Sequence, residues 1–171
     1  MAQSLTLPRP DSSGRSWGAS DVPPMNRAMI YEYPVSFQED HNGTVIAMAQ
    51  DVPGAMTVGG TRAEALERLE GALIVVLSAR IEDREPIPRP SQPARGQRTV
   101  ALSPMVAAKL SIYQAMRARK MTTQDLSRRL GWEAARLRRL LDLRRRSRLE
   151  DIEAALEAMG KRLIIEVGNA A

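Results

Sequence analysis

Four prolines within residues 86–93 place the strongest constraint on how this chain folds. Proline fixes φ, lacks a backbone N–H and is excluded from helix interiors and central strands. We therefore expect residues 86–98 to form an extended, semi-rigid connector. Residues 1–28 hold four more prolines among serines and glycines, without an apolar period. That tail is predicted to be disordered, because it cannot bury enough apolar surface to offset chain entropy.

These breaks divide the chain into an N-terminal unit at residues 29–91, a linker at 92–98 and a C-terminal unit at 99–171. The two units differ in the sign of their charge. Residues 29–91 hold five arginines against ten carboxylates, whereas residues 104–171 hold fifteen lysines and arginines against eight carboxylates. The asymmetry indicates different partners, since an acidic unit suits a basic protein and a basic unit suits nucleic acid.

Composition excludes several classes of protein. The 171 residues include no cysteine, which excludes disulfides, zinc ribbons and thiol catalysis. No apolar run approaches the roughly 18 residues that a membrane-spanning helix needs, and the N-terminus lacks the layout of a secretory signal. We expect a cytoplasmic protein that has no membrane segment.

The N-terminal unit shows the alternation of a small antiparallel sheet. Strands are predicted at residues 33–37, 44–49 and 55–58. Asn42-Gly43 favours a hairpin turn between the first two, because both residues tolerate positive φ. Pro34 cannot donate to a ladder, so the first strand is expected at a sheet edge or paired on one side only.

A helix is predicted behind the third strand. Thr61 and Glu64 form a predicted capping box, and apolar residues then recur at three- and four-residue spacing over about 18 residues. Residues 99–102 are a possible fourth strand. One helix on one face of a small sheet is an α+β arrangement.

The C-terminal unit is predicted to be helical. Ser103-Pro104 is an N-cap followed by proline at the first helical position. Thr122 is predicted to cap a second, short helix that ends at Gly131 in a left-handed conformation, and a third helix follows with its leucines inward. This is the layout of a helix-turn-helix; a plain helical bundle is the alternative.

The end of the chain holds two further predictions. Ser147 and Glu150 form a predicted capping box that opens a last helix, which stops at Gly160. Residues 163–167 are apolar on both faces of a possible strand. Pairing with the same segment of a second chain would bury that strand and align two DNA-reading helices, so we expect a homodimer; packing against its own helices is the alternative.

A series of short motifs runs through the N-terminal unit: Tyr33-Pro34-Val35, Gly43, Asp51-Val52-Pro53-Gly54-Ala55-Met56-Thr57, Gly60-Thr61, Glu64-Ala65 and Ile87-Pro88-Arg89-Pro90-Ser91. In order and spacing they resemble the HicB-type antitoxins, and the resemblance continues to about Val167. It implies a truncated ribonuclease H-like unit that covers the active site of a small basic mRNA-cleaving toxin of the HicA type. The residues expected to contact the toxin are Asp51, Val52, Pro53, Met56, Glu64 and Glu67.

Arginine is concentrated in the C-terminal unit, where it fills nine of the twenty-one positions 128–148. A solvated face is the simple interpretation. The unit also resembles the phage-repressor-like (Xre) class of helix-turn-helix, in which the second helix of the motif enters the major groove and nearby loops contact phosphates. The residues expected to contact DNA are Thr123, Gln124, Ala134, Ala135, Arg136, Arg138, Arg139, Arg144 and Arg145.

A metal-dependent nuclease would need several convergent carboxylates. Glu39, Asp40 and Asp51, with His41, are the available groups, but residues 39–41 fall in a predicted surface turn. We therefore expect no enzyme, no metal site and no cofactor. The predicted function is a type II antitoxin that neutralises its toxin and represses its own operon. The alternative is a stand-alone regulator whose N-terminal unit senses a ligand or dimerises.

Overall fold

A computed structural model describes residues 31–165 of the chain. The predicted disordered tail at residues 1–28 lies outside the described residues. The α+β class is confirmed, because an antiparallel sheet with one helix precedes a set of helices. The elements are β1 (Glu32–Glu39), β2 (Val45–Ala49), β3 (Met56–Gly59), α1 (Arg62–Glu82), β4 (Thr99–Ala101), α2 (Pro104–Ala118), α3 (Thr123–Leu130), α4 (Ala134–Leu141) and α5 (Leu149–Glu157).

The sheet has the order β3-β2-β1-β4, which makes β1 a central strand. The expectation of an edge or one-sided strand is wrong, because β1 pairs with β2 on one side and with β4 on the other. The Pro34 carbonyl accepts from the Gln50 N–H at 3.0 Å, just past the end of β2. The N–H and C=O of one residue in an antiparallel strand point to the same side. The N–H that Pro34 lacks would therefore point toward a position just beyond the last residue of β2.

Local turn and cap predictions have mixed outcomes in the N-terminal unit. The hairpin at Asn42-Gly43 is confirmed, with φ of Gly43 at 76°. Thr61 caps α1 by accepting from the Glu64 N–H at 3.2 Å. The reciprocal half of the capping box is wrong, because the Glu64 carboxylate accepts from the Gly60 N–H at 2.8 Å instead.

The connector forms no helix or strand, and the expected extended form is interrupted by a turn at residues 94–97, where the Gln97 N–H donates to the Ala94 carbonyl at 2.9 Å. Hydrogen bonds hold the connector against the sheet. The Tyr33 hydroxyl donates to the Pro88 carbonyl at 3.0 Å. Both the N–H and the hydroxyl of Ser91 donate to the Asp51 carboxylate, at 2.9 and 3.1 Å. The connector leads into β4, which confirms the fourth strand, so residues 99–101 complete the N-terminal sheet.

The helical part continues directly from the sheet. Ser103 is the N-cap of α2, although its side chain makes no capping bond. The Ser103 N–H donates to Glu70 at 2.9 Å, and the Tyr113 hydroxyl donates to the Glu85 carbonyl at 2.8 Å. These bonds attach α2 to the middle of α1 and to the segment just after α1, and the buried residues of all layers form one core.

The capping box predicted at Ser147 is wrong. Arg148 is still extended and is the N-cap of α5, with no side-chain capping bond. This one-residue shift brings Asp151 rather than Glu150 to the third helical position, where Asp151 pairs with Arg136. Residues 161–165 form no strand within this chain, and residues 166–167 of the possible last strand lie outside the described residues.

Candidate functional site

Two short helices, α3 and α4, are joined by a tight turn. The turn begins at Gly131, whose left-handed φ of 64° ends α3 as predicted. The Trp132 N–H donates to the Ser127 carbonyl at 2.9 Å and closes it. Leu126 of α3 and Leu137 of α4 are both fully buried. Since their apolar faces point into the core, the opposite face of α4 is left to solvent.

The start of α3 is tied down by a complete capping box. The Thr122 side chain accepts from the Asp125 N–H, and the Asp125 carboxylate accepts from the Thr122 N–H at 3.0 Å. The Thr122 hydroxyl also donates to this carboxylate at 2.6 Å, which lowers the pKa of Asp125 below its ordinary value. Of the two predicted contacts in this first turn, Gln124 is exposed and Thr123 is half-buried.

The helix α4 carries five of the predicted DNA contacts. Ala134, Ala135, Arg138 and Arg139 are all exposed. Within residues 31–165 the side chains of Arg138 and Arg139 form no ion pair. Arg136 differs, because its guanidinium lies 4.0 Å from the Trp132 ring centroid and 2.6 Å from Asp151. The exposed face of α4 therefore presents two uncommitted guanidinium groups and a third that is engaged within the chain.

Residues 142–147, named here the arginine loop, connect α4 to α5. The Asp142 carboxylate accepts from the Arg144 N–H at 3.0 Å and from Arg145 Nε at 3.1 Å. The loop is closed from beneath by Lys109 of α2, whose Nζ donates to the carbonyls of Asp142 and Arg145. The three consecutive arginines of the loop are exposed.

A concavity with a volume of about 470 Å³ lies between α4, the arginine loop and α5. We name it the arginine pocket. Its one carboxylate is already paired with one of its arginines, so the pocket is strongly cationic. Guanidinium groups in a concave site suit a phosphate, which they can bind bidentately. The lining residues are Arg136, Arg139, Leu140, Arg146, Ser147, Arg148 and Asp151.

Two residues of this candidate site were not predicted from the sequence. Lys109 has the ordinary appearance of a surface lysine, yet it is fully buried. Its distance of three residues from Val106 and four from Tyr113 places it on the inward face of α2, and this spacing was the available signal. Arg148 was expected inside a capping box; it is the N-cap of α5 and it also lines the arginine pocket.

The sheet provides a second surface on the face opposite α1. A Cβ at Gly59 would lie 2.6 Å from the Ala65 N atom, so the Gly59 position faces α1. Because side chains alternate along a strand, Met56 and Val58 point away from α1, with 54% and 51% of their surface exposed. Their partners across β2 lie on the same face. We name Ile46, Met48, Met56 and Val58 the open sheet face.

The predicted toxin contacts do not share one face. Met56 belongs to the open sheet face, whereas Glu67 is exposed on α1, behind the sheet. Val52 is fully buried in the core. Pro53 is exposed in the turn after β2. The Asp51 carboxylate accepts from Ser91. The Glu64 carboxylate accepts from the Gly60 N–H and pairs with Arg68.

The acidic groups that a nuclease would need are dispersed. Glu39 pairs with Arg62 at 2.9 Å, and the Asp40 carboxylate accepts from the His41 N–H at 2.7 Å. Throughout residues 31–165, no three histidine or carboxylate side chains come together as metal ligands would. Nor does any helix in this range have the length and apolar character needed to cross a bilayer.

Residues 32–111, from β1 into α2, match a family model described as "HicB_like antitoxin of bacterial toxin-antitoxin system". The class is therefore that of the antitoxins, which are not enzymes. Antitoxin HicB 2 of Photorhabdus laumondii is 34% identical over 131 residues, which are 77% of this chain and 92% of that protein. Antitoxin HicB of Escherichia coli K12 is 31% identical over 131 residues, 77% of this chain and 95% of that protein.

A third relative, Antitoxin HicB of Pseudomonas fluorescens Pf0-1, is 28% identical over 144 residues, which are 84% of this chain and 98% of that protein. The chain belongs to the HicB-like antitoxin family. The resemblance inferred from the sequence motifs is confirmed, and so is the expectation that the protein is not an enzyme.

Proposed function

We propose that the chain neutralises a small basic mRNA-cleaving toxin of the HicA type and represses its own operon by binding operator DNA in the cytoplasm. Family membership supports the antitoxin role. The observation that carries both halves of the proposal is the pair of surfaces with different chemistry. One is the open sheet face of an acidic unit, and the other is the arginine-covered face of a basic unit.

The open sheet face is the proposed docking surface for the toxin. Two exposed apolar side chains, Met56 and Val58, form its centre, and an apolar centre is typical of tight protein interfaces. The excess of carboxylates over arginines in residues 29–91 would steer a cationic toxin toward it. Glu67, on α1, would contribute to this steering without direct contact.

The helices α3 and α4 are the proposed helix-turn-helix, with α4 as the recognition helix. Arg138 is the proposed base-reading residue, because an uncommitted guanidinium can bind guanine O6 and N7 bidentately. The exposed alanines at the start of α4 allow close approach to the groove. The arginine pocket and the arginine loop would contact backbone phosphates, which position the protein without reading sequence.

The C-terminal segment is the proposed dimer contact. Ile164 and Ile165 are 63% and 65% exposed, whereas Leu163 packs partly against the core. Exposed isoleucines at the end of a helical unit would be buried by the same segment of a second chain. A two-fold dimer would then place two α4 helices on one face of operator DNA.

A stand-alone regulator with a ligand-sensing N-terminal unit is the second candidate function. One observation favours it: a concavity of about 680 Å³ between β1, α1 and residues 96–98. Its lining includes apolar Val35, Phe37 and Leu66 beside Arg62 and Arg98, which would suit a small amphipathic anion.

The test is co-expression of the tagged chain with the basic protein of a short neighbouring reading frame, followed by affinity capture. Met56→Asp combined with Val58→Asp should abolish capture and retain operator binding. Arg138→Ala combined with Arg145→Ala should abolish operator binding and retain capture. Val75→Asp is the matched control, because Val75 is equally exposed, at 54%, on α1 behind the sheet. Equal loss of capture in the control would contradict docking on the open sheet face, and no capture by the unaltered chain would favour the regulator.

A further inference from the structure

Lys109 is a fully buried lysine in the middle of α2. Its Nζ donates to the Asp142 carbonyl at 2.7 Å and to the Arg145 carbonyl at 2.5 Å. A buried ammonium is strongly unfavourable unless it is paired and hydrogen-bonded. These two carbonyls therefore account for the presence of a charge inside the helical unit.

The two acceptors lie where a cation is favoured. Asp142 is the C-cap of α4, and the unpaired carbonyls at a helix C-terminus carry partial negative charge. Burial lowers the pKa of Lys109, and the neighbouring Asp142 carboxylate acts in the opposite direction. The ammonium joins α2 to the arginine loop, which is 33 to 36 residues away along the chain.

The arginine loop takes its shape around this contact. The Arg145 N–H donates to the Asp142 carbonyl at 3.2 Å, so one turn brings both acceptors of Lys109 together. Leu143 within that turn is buried. With the backbone carbonyls and Leu143 turned inward, the three arginine side chains are exposed.

We propose that Lys109 is a positioning residue for nucleic-acid binding: its ammonium holds the arginine loop in the conformation that presents Arg144, Arg145 and Arg146 to the phosphate backbone. This inference rests on the proposed binding of operator DNA. Lys109 itself touches no DNA, because it is enclosed by protein. It acts only through the loop, and the test must therefore separate this effect from a general loss of stability.

The first experiment compares Lys109→Met with Lys161→Met in the full chain. Lys161 is exposed, so its substitution removes one positive charge without affecting the loop. Lys109→Met should raise hydrogen–deuterium exchange in residues 142–147 alone. Its affinity for an operator duplex should fall about ten-fold, with a shallower salt dependence, because phosphate contacts are lost. Unchanged exchange in the loop would overturn the proposal, whatever the DNA result.

The second experiment repeats Lys109→Met in a chain that carries Arg144→Ala, Arg145→Ala and Arg146→Ala. If Lys109 acts by positioning these arginines, its substitution should cost no further affinity in that background. An undiminished ten-fold loss would overturn the proposal and indicate a purely structural role. If the Met variant does not fold, Lys109→Gln, which keeps a shorter amide donor, is used in the same comparison. Absence of operator binding by the unaltered chain would refute the proposed function, while the exchange data would still decide whether Lys109 shapes the loop.

Discussion

Arg136 Nη2 lies 2.6 Å from Asp151 Oδ1 and joins the first turn of α4 to the first turn of α5. The same guanidinium stacks on the Trp132 ring. The ion pair is partly exposed, so it contributes less than about 1 kcal/mol to the free energy of unfolding. The cation–π contact makes a similar contribution. Arg136→Ala should lower the free energy of unfolding by about 1 kcal/mol in urea titrations, whereas Arg138→Ala should change it by less than about 0.5 kcal/mol. Equal losses would show that the Asp151 pair contributes nothing specific.

Arg138 and Arg145 should have different effects on DNA binding. Arg138→Ala should weaken the free energy of operator binding by about 1–3 kcal/mol and relax discrimination at one base position. Arg145→Ala should weaken all sequences alike and reduce the salt slope by about one unit. Fluorescence titrations of operator and random duplexes at several salt concentrations measure both. Identical behaviour of the two variants on both duplexes would leave only a non-specific basic patch.

Substitution by alanine should change the stability of the protein in opposite directions at Gly59 and at Gly71. A Cβ at Gly59 would meet the Ala65 N atom at 2.6 Å, so Gly59→Ala should destabilise by about 1–3 kcal/mol through overpacking of α1 on β3. Gly71 lies exposed within α1 with nothing near its Cβ position, so Gly71→Ala should stabilise by about 0.5–1 kcal/mol. Thermal unfolding measures both, and a neutral Gly59→Ala would mean that α1 is not held closely against this strand.

Tyr31 and Tyr33 should make stability depend on alkaline pH. Burial raises the pKa of Tyr31 from 10.0 to about 12 and raises the pKa of Tyr33 further. A raised pKa in the folded state means that the folded chain holds the proton more tightly. The stabilisation is therefore complete below pH 10 and is lost as pH rises from 10 toward 12. Urea titrations across this range should show a fall that the double variant Tyr31→Phe and Tyr33→Phe reduces.

The same two tyrosines should differ at neutral pH. The Tyr33 hydroxyl donates to Pro88, so Tyr33→Phe should cost about 1 kcal/mol. The buried Tyr31 hydroxyl lies beside Ser111 but, within residues 31–165, makes no hydrogen bond of good geometry, so Tyr31→Phe should cost less. The reverse order would contradict the anchoring of the connector by Tyr33.

Ile164 and Ile165 should control assembly. Ile164→Ser combined with Ile165→Ser should give monomers in sedimentation velocity, because the proposed dimer contact loses its apolar surface. Val75→Ser, which removes a similarly exposed apolar side chain on α1, is the control and should leave the dimer intact. A dimer that survives the double substitution would place the interface elsewhere.

The turns and helix ends were predictable because their causes are local. Gly43 and Gly131 adopt the positive φ that their turns require, and Thr122 caps the helix that follows it. Apolar spacing likewise located β1 to β4 and the helices, but the strand that it predicted at residues 163–167 is not formed over residues 163–165. These features depend on contacts within about four residues, which a sequence displays directly. The capping box predicted at Ser147 is wrong because α5 begins one residue later than expected, with Arg148 as its N-cap.

What the sequence alone determined, then, is the α+β class, the order of its elements and the concentration of arginine in the helical unit. Tertiary structure alone decided the central position of β1, which depends on pairing with β4 more than 60 residues away. It also decided that Met56 faces away from α1, that Arg136 is engaged by Asp151, and that Lys109 is buried beneath the arginine loop. Each of these outcomes depends on which distant residues pack together, and the free energy of that packing is not encoded in any short window of the chain.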